Sequence, residues 1–112
     1  SPATGRDKGN RRTMRIREQI DGDELTMFLD GNFDESSGFV VEGELDKIMS
    51  KNIKDIILDM EDVKYISSIG IRVLMLAHKK SIKSGKKITI ANIFGKAREI
   101  LEMVGILPLF TG

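Results

Sequence analysis

Tyr65-Ile66-Ser67-Ser68-Ile69-Gly70-Ile71-Arg72-Val73-Leu74 is the stretch on which the fold turns. Just before it, Ile53 to Met60 contains Ile56-Ile57-Leu58, a short β-branched apolar run of the kind a strand buried on both faces shows. Glu61-Asp62 ends that run, and Val63 to Ser67 reads as a loop. Just after it, Ser68 to Ser84 has helical spacing, with Gly85 as the C-terminal cap. Strand, loop and helix in this order predict the start of a parallel, helix-covered sheet.

Working outward, Lys87 to Ile93 alternates apolar and polar residues and predicts the next strand. Ala97, Ile100, Leu101 and Val104 recur at i, i+3, i+4 and i+7, a third helix closed by Gly105, and Pro108 discourages further helix. Towards the start, Thr13 to Ile20 and Glu24 to Asp30 read as two strands joined at Asp21-Gly22-Asp23 into a hairpin. Asp30-Gly31-Asn32 breaks the second strand. Val41, Leu45, Ile48 and Met49 then predict a helix from about Ser36 to Ser50, which Gly38 and Gly43 weaken by roughly 1 kcal/mol each relative to Ala. The order is β-β-α-β-α-β-α, an α/β fold with a mixed β-sheet and helices.

The chain has 112 residues, enough for one domain, expected over residues 13–112. Residues 1–12 are Ser, Pro, Gly, Asn and Arg rich, as a disordered or appended tail would be, although their basic charge could also touch an acidic surface. No cysteine is present, and His78 is the only histidine, so disulfides, thiol chemistry and a multi-histidine metal cluster are excluded. Lys and Arg total 18 against 17 Asp and Glu, which gives no footprint of nucleic-acid binding. No membrane-length apolar run and no signal peptide occur, so the expected location is cytoplasmic. A monomer is the default expectation for so small a domain.

Two hydroxyls, Ser67 and Ser68, stand where the loop passes into the helix. Either could simply cap the helix, because a serine oxygen accepts an orphan backbone N–H there. Equally, a helix N-terminus favours anions, so the folded domain would tolerate a phosphate on Ser68, which adds about −1.5 to −2 charges at neutral pH. On the predicted helix Gly70, Ile71, Leu74, Ala77, His78 and Ser81 share one side, and Arg72, Lys79, Lys80 and Lys83 the other. Ile69 and Leu76 fall on or beside the charged side, as a partner-binding patch or as scattered surface apolar residues. No phosphate-cradling glycine loop, cysteine nucleophile or histidine pair supports an enzyme or a nucleotide-binding module, and His78 reads as a part-buried helix residue.

Glu61 to Leu74 resembles the signature loop and helix of STAS domains, which sulfate transporters share with anti-sigma factor antagonists. The resemblance runs from about residue 13 to residue 110. It takes in Leu29-Asp30-Gly31-Asn32-Phe33-Asp34 before the first helix, the Ile53 to Met60 strand, the turn Gly85-Lys86-Lys87-Ile88 and the close at Gly105-Ile106-Leu107. The family's usual loop is Asp-Ser-Ser/Thr-Gly. Aligned on Gly70, this chain has Ser67 in the Asp position, Ser68 as the phosphoacceptor and Ile69 in place of the second hydroxyl residue. The first helix departs too, with two glycines where the family usually has Ala and Leu.

The resemblance implies an anti-sigma factor antagonist, a ligand and substrate without enzymatic activity, cofactor or metal. Its unphosphorylated form binds an anti-sigma factor that is also a GHKL-type serine kinase. Phosphorylation at Ser68, with Ser67 as second choice, releases that partner, and a PP2C-type phosphatase restores binding. Partner contact is expected at Asp34 by the resemblance and at Ile69, Arg72 and Leu76 by their place on the helix, with Asp34 equally able to serve as an ordinary helix cap. The alternative is a STAS domain acting on another assembly, such as a lipid-transport complex or a secretion or biofilm regulator.

Overall fold

The computed structural model describes residues 14–111; the expected tail and Thr13 lie outside them. Strand β1 (Arg15–Asp21) and strand β2 (Glu24–Phe33) form an antiparallel hairpin, with Asp21 opposite Glu24 across the turn. Helix α1 (Glu35–Met49) then leads to β3 (Asp55–Ile66), helix α2 (Ser68–Lys83) to β4 (Lys87–Ala91), and helix α3 (Gly95–Met103) to a short 3-10 turn at Leu107–Phe110. The sheet order is β1-β2-β3-β4, with β2, β3 and β4 parallel. This is the expected β-β-α-β-α-β-α order.

One core holds the fold. Leu25, Met27 and Leu29 of β2 and Ile56, Leu58 and Met60 of β3 alternate inward to meet Val41, Leu45 and Ile48 of α1, Val73, Leu74 and Ala77 of α2, and Ala97 and Leu101 of α3. Burying side chains of this size contributes about 1.5–3 kcal/mol each. The two parallel crossovers run in the same direction across the sheet, so α1 and α2 lie side by side. Lys80 Nζ bridges to Asp46 Oδ1 at 2.6 Å between them.

β3 departs from expectation in two ways. It is not buried on both faces: Ile57 and Asp59 sit on an open face with Thr26, Phe28 and Thr89, where Arg17 stacks its guanidinium 4.1 Å from the Phe28 ring centre. The apolar run reflects β propensity at Ile57 rather than a second covering layer. Nor does the strand stop at Met60. It continues through Glu61-Asp62 and the expected Val63 to Ser67 loop as far as Ile66, while β2 runs on through Asp30-Gly31-Asn32 to Phe33. The two extensions pair with each other, Asp30 with Asp62, Gly31 with Val63 and Phe33 with Ile66, across two register irregularities. Their charged residues face water, so charge alone does not end either strand.

Candidate functional site

The β2–β3 extension carries the chain to the starts of α1 and α2 at one end of the sheet. Asp34 follows Phe33 directly and caps α1. Its Oδ1 accepts the Ser37 N–H at 3.2 Å, and its own N–H donates to Ser37 Oγ at 2.7 Å, the reciprocal capping box. Ser37 Oγ also donates to the Asn32 carbonyl at 2.7 Å, and Ser36 Oγ donates to Asp34 Oδ1 at 3.0 Å. Partial burial pushes the Asp34 carboxyl up, but the bonds from Ser37 and Ser36 together outweigh it and hold its pKa below the usual carboxylate value. Asp34 is therefore a cap, placed beside the serine loop because Phe33 pairs with Ile66.

Ser67 and Ser68 play different parts. Ser67 is the N-cap of α2. Its N–H donates to the Phe33 carbonyl at 2.8 Å, and its Oγ accepts the Gly70 N–H at 3.3 Å. Ser68 is the first helical residue and is exposed, and no hydrogen bond among the described residues engages its hydroxyl. Gly70 is buried against the same Phe33 carbonyl. A Cβ there would stand 2.6 Å from that oxygen and 2.9 Å from Ile66 Cγ2, so no larger residue fits.

Ile69 and Leu76 do not face outward as the helical spacing implied. Both are half-buried and line a groove of about 300 Å³ between α1 and α2, with Val73, Gly38, Glu35, Phe39, Glu42 and Arg72. Gly38 explains the difference. It is buried, and a Cβ on it would lie 3.1 Å from Ile69 Cγ2, so its bare backbone lets α1 close on α2. Of the expected contact residues, Arg72 is exposed at the groove margin and Asp34 stands at the start of α1. Phe39 was missed by the sequence reading. It is 78% exposed and lines the groove, and its one signal was to be a large aromatic off the buried Val41-Leu45-Ile48 stripe.

His78 is half-buried, with its ring edge-on to Phe110 at 5.6 Å between centres, a packing contact. No three metal-ligating side chains gather among the described residues, and no helix there is long and apolar enough to cross a membrane.

A serine at the head of a helix is the arrangement that the Tyr65 to Leu74 motif implied; its seat on the end of the parallel strand β2 is what the structure adds. The sequence model of the STAS domain matches residues 13–111. The chain belongs to the STAS domain family. A protein of Bordetella bronchiseptica named as an anti-sigma factor antagonist, BtrV, is 29% identical to this STAS domain over 93 residues, covering 83% of this chain and 79% of its own. Among solved structures, one from Thermotoga maritima named as an anti-sigma factor antagonist superposes with a TM-score of 0.79 at 15% identity, covering 86% of this chain and 83% of that one. The anti-sigma factor antagonist SpoIIAA in its unphosphorylated form gives 0.75 at 12% identity over 88% and 85% of the two chains. Its phosphorylated form, from Bacillus, gives 0.69 at 12% identity over 88% of each. At these identities the structures establish the shared fold, a four-stranded mixed sheet with its helices in the same order.

Proposed function

We propose that this STAS domain is an anti-sigma factor antagonist in a partner-switching pathway, with Ser68 as its phosphoacceptor. The observation that carries the assignment is the division of labour between the serines: the Ser67 oxygen is held in the α2 cap, while the Ser68 hydroxyl is exposed and unengaged among the described residues. Relatives named as anti-sigma factor antagonists, and the existence of SpoIIAA in phosphorylated and unphosphorylated forms, support it.

In this reading the domain acts by binding and carries no catalysis of its own. The partner is an anti-sigma factor with GHKL-type serine kinase activity, and the expected location is cytoplasmic. Ser68 Oγ attacks the γ-phosphorus of ATP held by the kinase. The new Oγ–P bond forms as the bond from that phosphorus to the β–γ bridging oxygen breaks; ADP leaves and the serine proton passes to a base of the kinase. The transferred group adds about −1.5 to −2 charges at the head of α2. There the helix N-terminus stabilises it in the free domain. In the complex the same charge faces the remaining nucleotide phosphates and must shed water, which drives release. A PP2C-type phosphatase directs water onto the phosphorus, so that the Oγ–P bond breaks, inorganic phosphate leaves and Ser68 recovers its proton.

The test is incubation with ATP and a candidate GHKL kinase, read by intact mass and peptide mapping. One phosphate on Ser68 is expected, and its loss in Ser68→Ala. A mass gain that persists in Ser68→Ala would overturn the site. Phosphorylation without any change in kinase binding would overturn the switch.

A further inference from the structure

The α1–α2 groove carries an asymmetry that the switch does not use. Its floor is apolar, from Ile69, Val73 and Leu76, and its volume of about 300 Å³ suits one large apolar side chain. Its α1 wall presents Glu35 and Glu42, two turns apart on one helix side, with exposed Phe39 between them. No ion pair among the described residues engages either glutamate. The opposite wall offers Arg72 alone, likewise without an ion pair, so the groove margin holds two carboxylates against one guanidinium. The nearby Lys80 is bonded to Asp46 and also feels the charge of Glu42, so Glu35 is the less compensated of the two carboxylates.

We infer that this groove selects the partner, by taking a segment that inserts one large apolar side chain and sets a Lys or Arg against Glu35 and Glu42. Phe39 is the anchor on the rim. Aromatic residues beside a desolvated pocket dominate binding energy, and flanking charges set register and exclude wrong partners. The inference rests on the reading of the Ser68 end as a partner-binding face, and it adds the chemistry of what binds. Gly38 is part of the device. The contact between its backbone and Ile69 fixes the groove width, so the glycine that weakens α1 as a helix shapes the floor.

The test uses the full chain, 13C-labelled at its methyl groups, and two synthetic peptides with one leucine pattern. One peptide carries Lys at the flanking positions and the other Glu. The Lys peptide is expected to shift the Ile69, Val73 and Leu76 methyls saturably, and less so as salt is raised. Glu35→Lys with Glu42→Lys should weaken that binding roughly tenfold or more, and so should Phe39→Ala, as expected for hot-spot and rim charges. Phe39 and both glutamates contribute no core packing, so these variants keep the fold, and an unchanged methyl spectrum without peptide verifies it. Equal response to the Glu peptide, no response to either, or shifts centred on the Arg17–Phe28 face would overturn the inference. Phosphorylation of Ser68 by a kinase is scored separately by mass, so failure of the groove reading and failure of the switch reading are distinguishable.

Discussion

The Phe33 carbonyl oxygen lies 2.6 Å from the point where a Cβ on Gly70 would stand, and it accepts the Ser67 N–H at 2.8 Å. One backbone oxygen on β2 therefore seats the start of α2 and fixes which serine caps it. Gly70→Ala must displace that seat, because the obstruction is backbone and not a flexible side-chain end. A loss of about 1–3 kcal/mol by denaturant titration is expected, as for overpacking. Gly43→Ala is the control. It is exposed within α1 with nothing within 4 Å of its Cβ position, so it should stabilise by about 0.5–1 kcal/mol.

The two serines should separate in experiment. Ser67→Ala removes a helix cap and is expected to cost about 1 kcal/mol while leaving Ser68 available to a kinase. Ser68→Ala should change stability by about 0.5 kcal/mol or less, as exposed substitutions do, yet abolish phosphorylation. Thermal melts beside phosphate incorporation measure both. The reverse pairing would exchange the roles given to the two residues.

Asp34 makes a pH-dependent contribution. Its folded pKa lies below the unfolded value because the Ser37 and Ser36 bonds outweigh the cost of partial burial. A depressed carboxyl stabilises the fold above its unfolded pKa, and that contribution is lost as pH falls through the folded value. Asp34→Ala should thus cost about 1 kcal/mol at neutral pH, the usual worth of a cap. The difference from wild type should shrink below about pH 4, near the ordinary Asp value. Urea titrations at the two pH values decide it.

Glu18 on β1 has the opposite sign. Burial, and then the hydrogen bond and charge of Glu44 on α1, raise its pKa, against the weaker pull of Lys51 and Lys47. A raised carboxyl costs stability once pH exceeds the folded value, and the cost vanishes below the unfolded one. Glu18→Gln should therefore stabilise at pH 7 by a small amount, about 0.5 kcal/mol or less for so exposed a pair, and not at pH 4. A gain of equal size at both pH values would rule out repulsion from Glu44 as its cause.

Leu76 packs between the helices as well as flooring the groove, whereas Arg72 only borders it. Half-buried Leu76 should lower the melting temperature even as Leu76→Ala, because it packs between the helices. Exposed Arg72→Glu should leave the melt unchanged and alter partner affinity alone. Melting curves and calorimetry on the same variants separate the two effects.

Much of this was legible in the chain. The element order followed from where apolar periodicity switches between two and 3.6, and the serine loop from its place between Ile66 and Gly70. What local pattern concealed was pairing. Asp30-Gly31-Asn32 and Glu61-Asp62 read as strand ends, yet each segment finds its hydrogen-bond partner in the other across bulges that have no one-dimensional signal. The outward placement of Ile69 and Leu76 failed for a related reason. A helical wheel describes one helix against solvent, and it cannot know that Gly38 on another helix leaves room for close approach. Glu35, Phe39 and Glu42 share one side of α1 by their i, i+4, i+7 spacing, but that this side borders a groove shows only where α1 meets α2.

The pairing of Phe33 with Ile66 also bears on when the switch becomes readable. A newly made or misfolded chain carries the Ser67-Ser68 sequence in full, but neither the carbonyl seat nor the groove, since each is assembled from distant segments. A partner that recognises the assembled face ignores such chains. Under the proposed switch, the signal would thereby be restricted to molecules that have already passed an inspection by their own architecture.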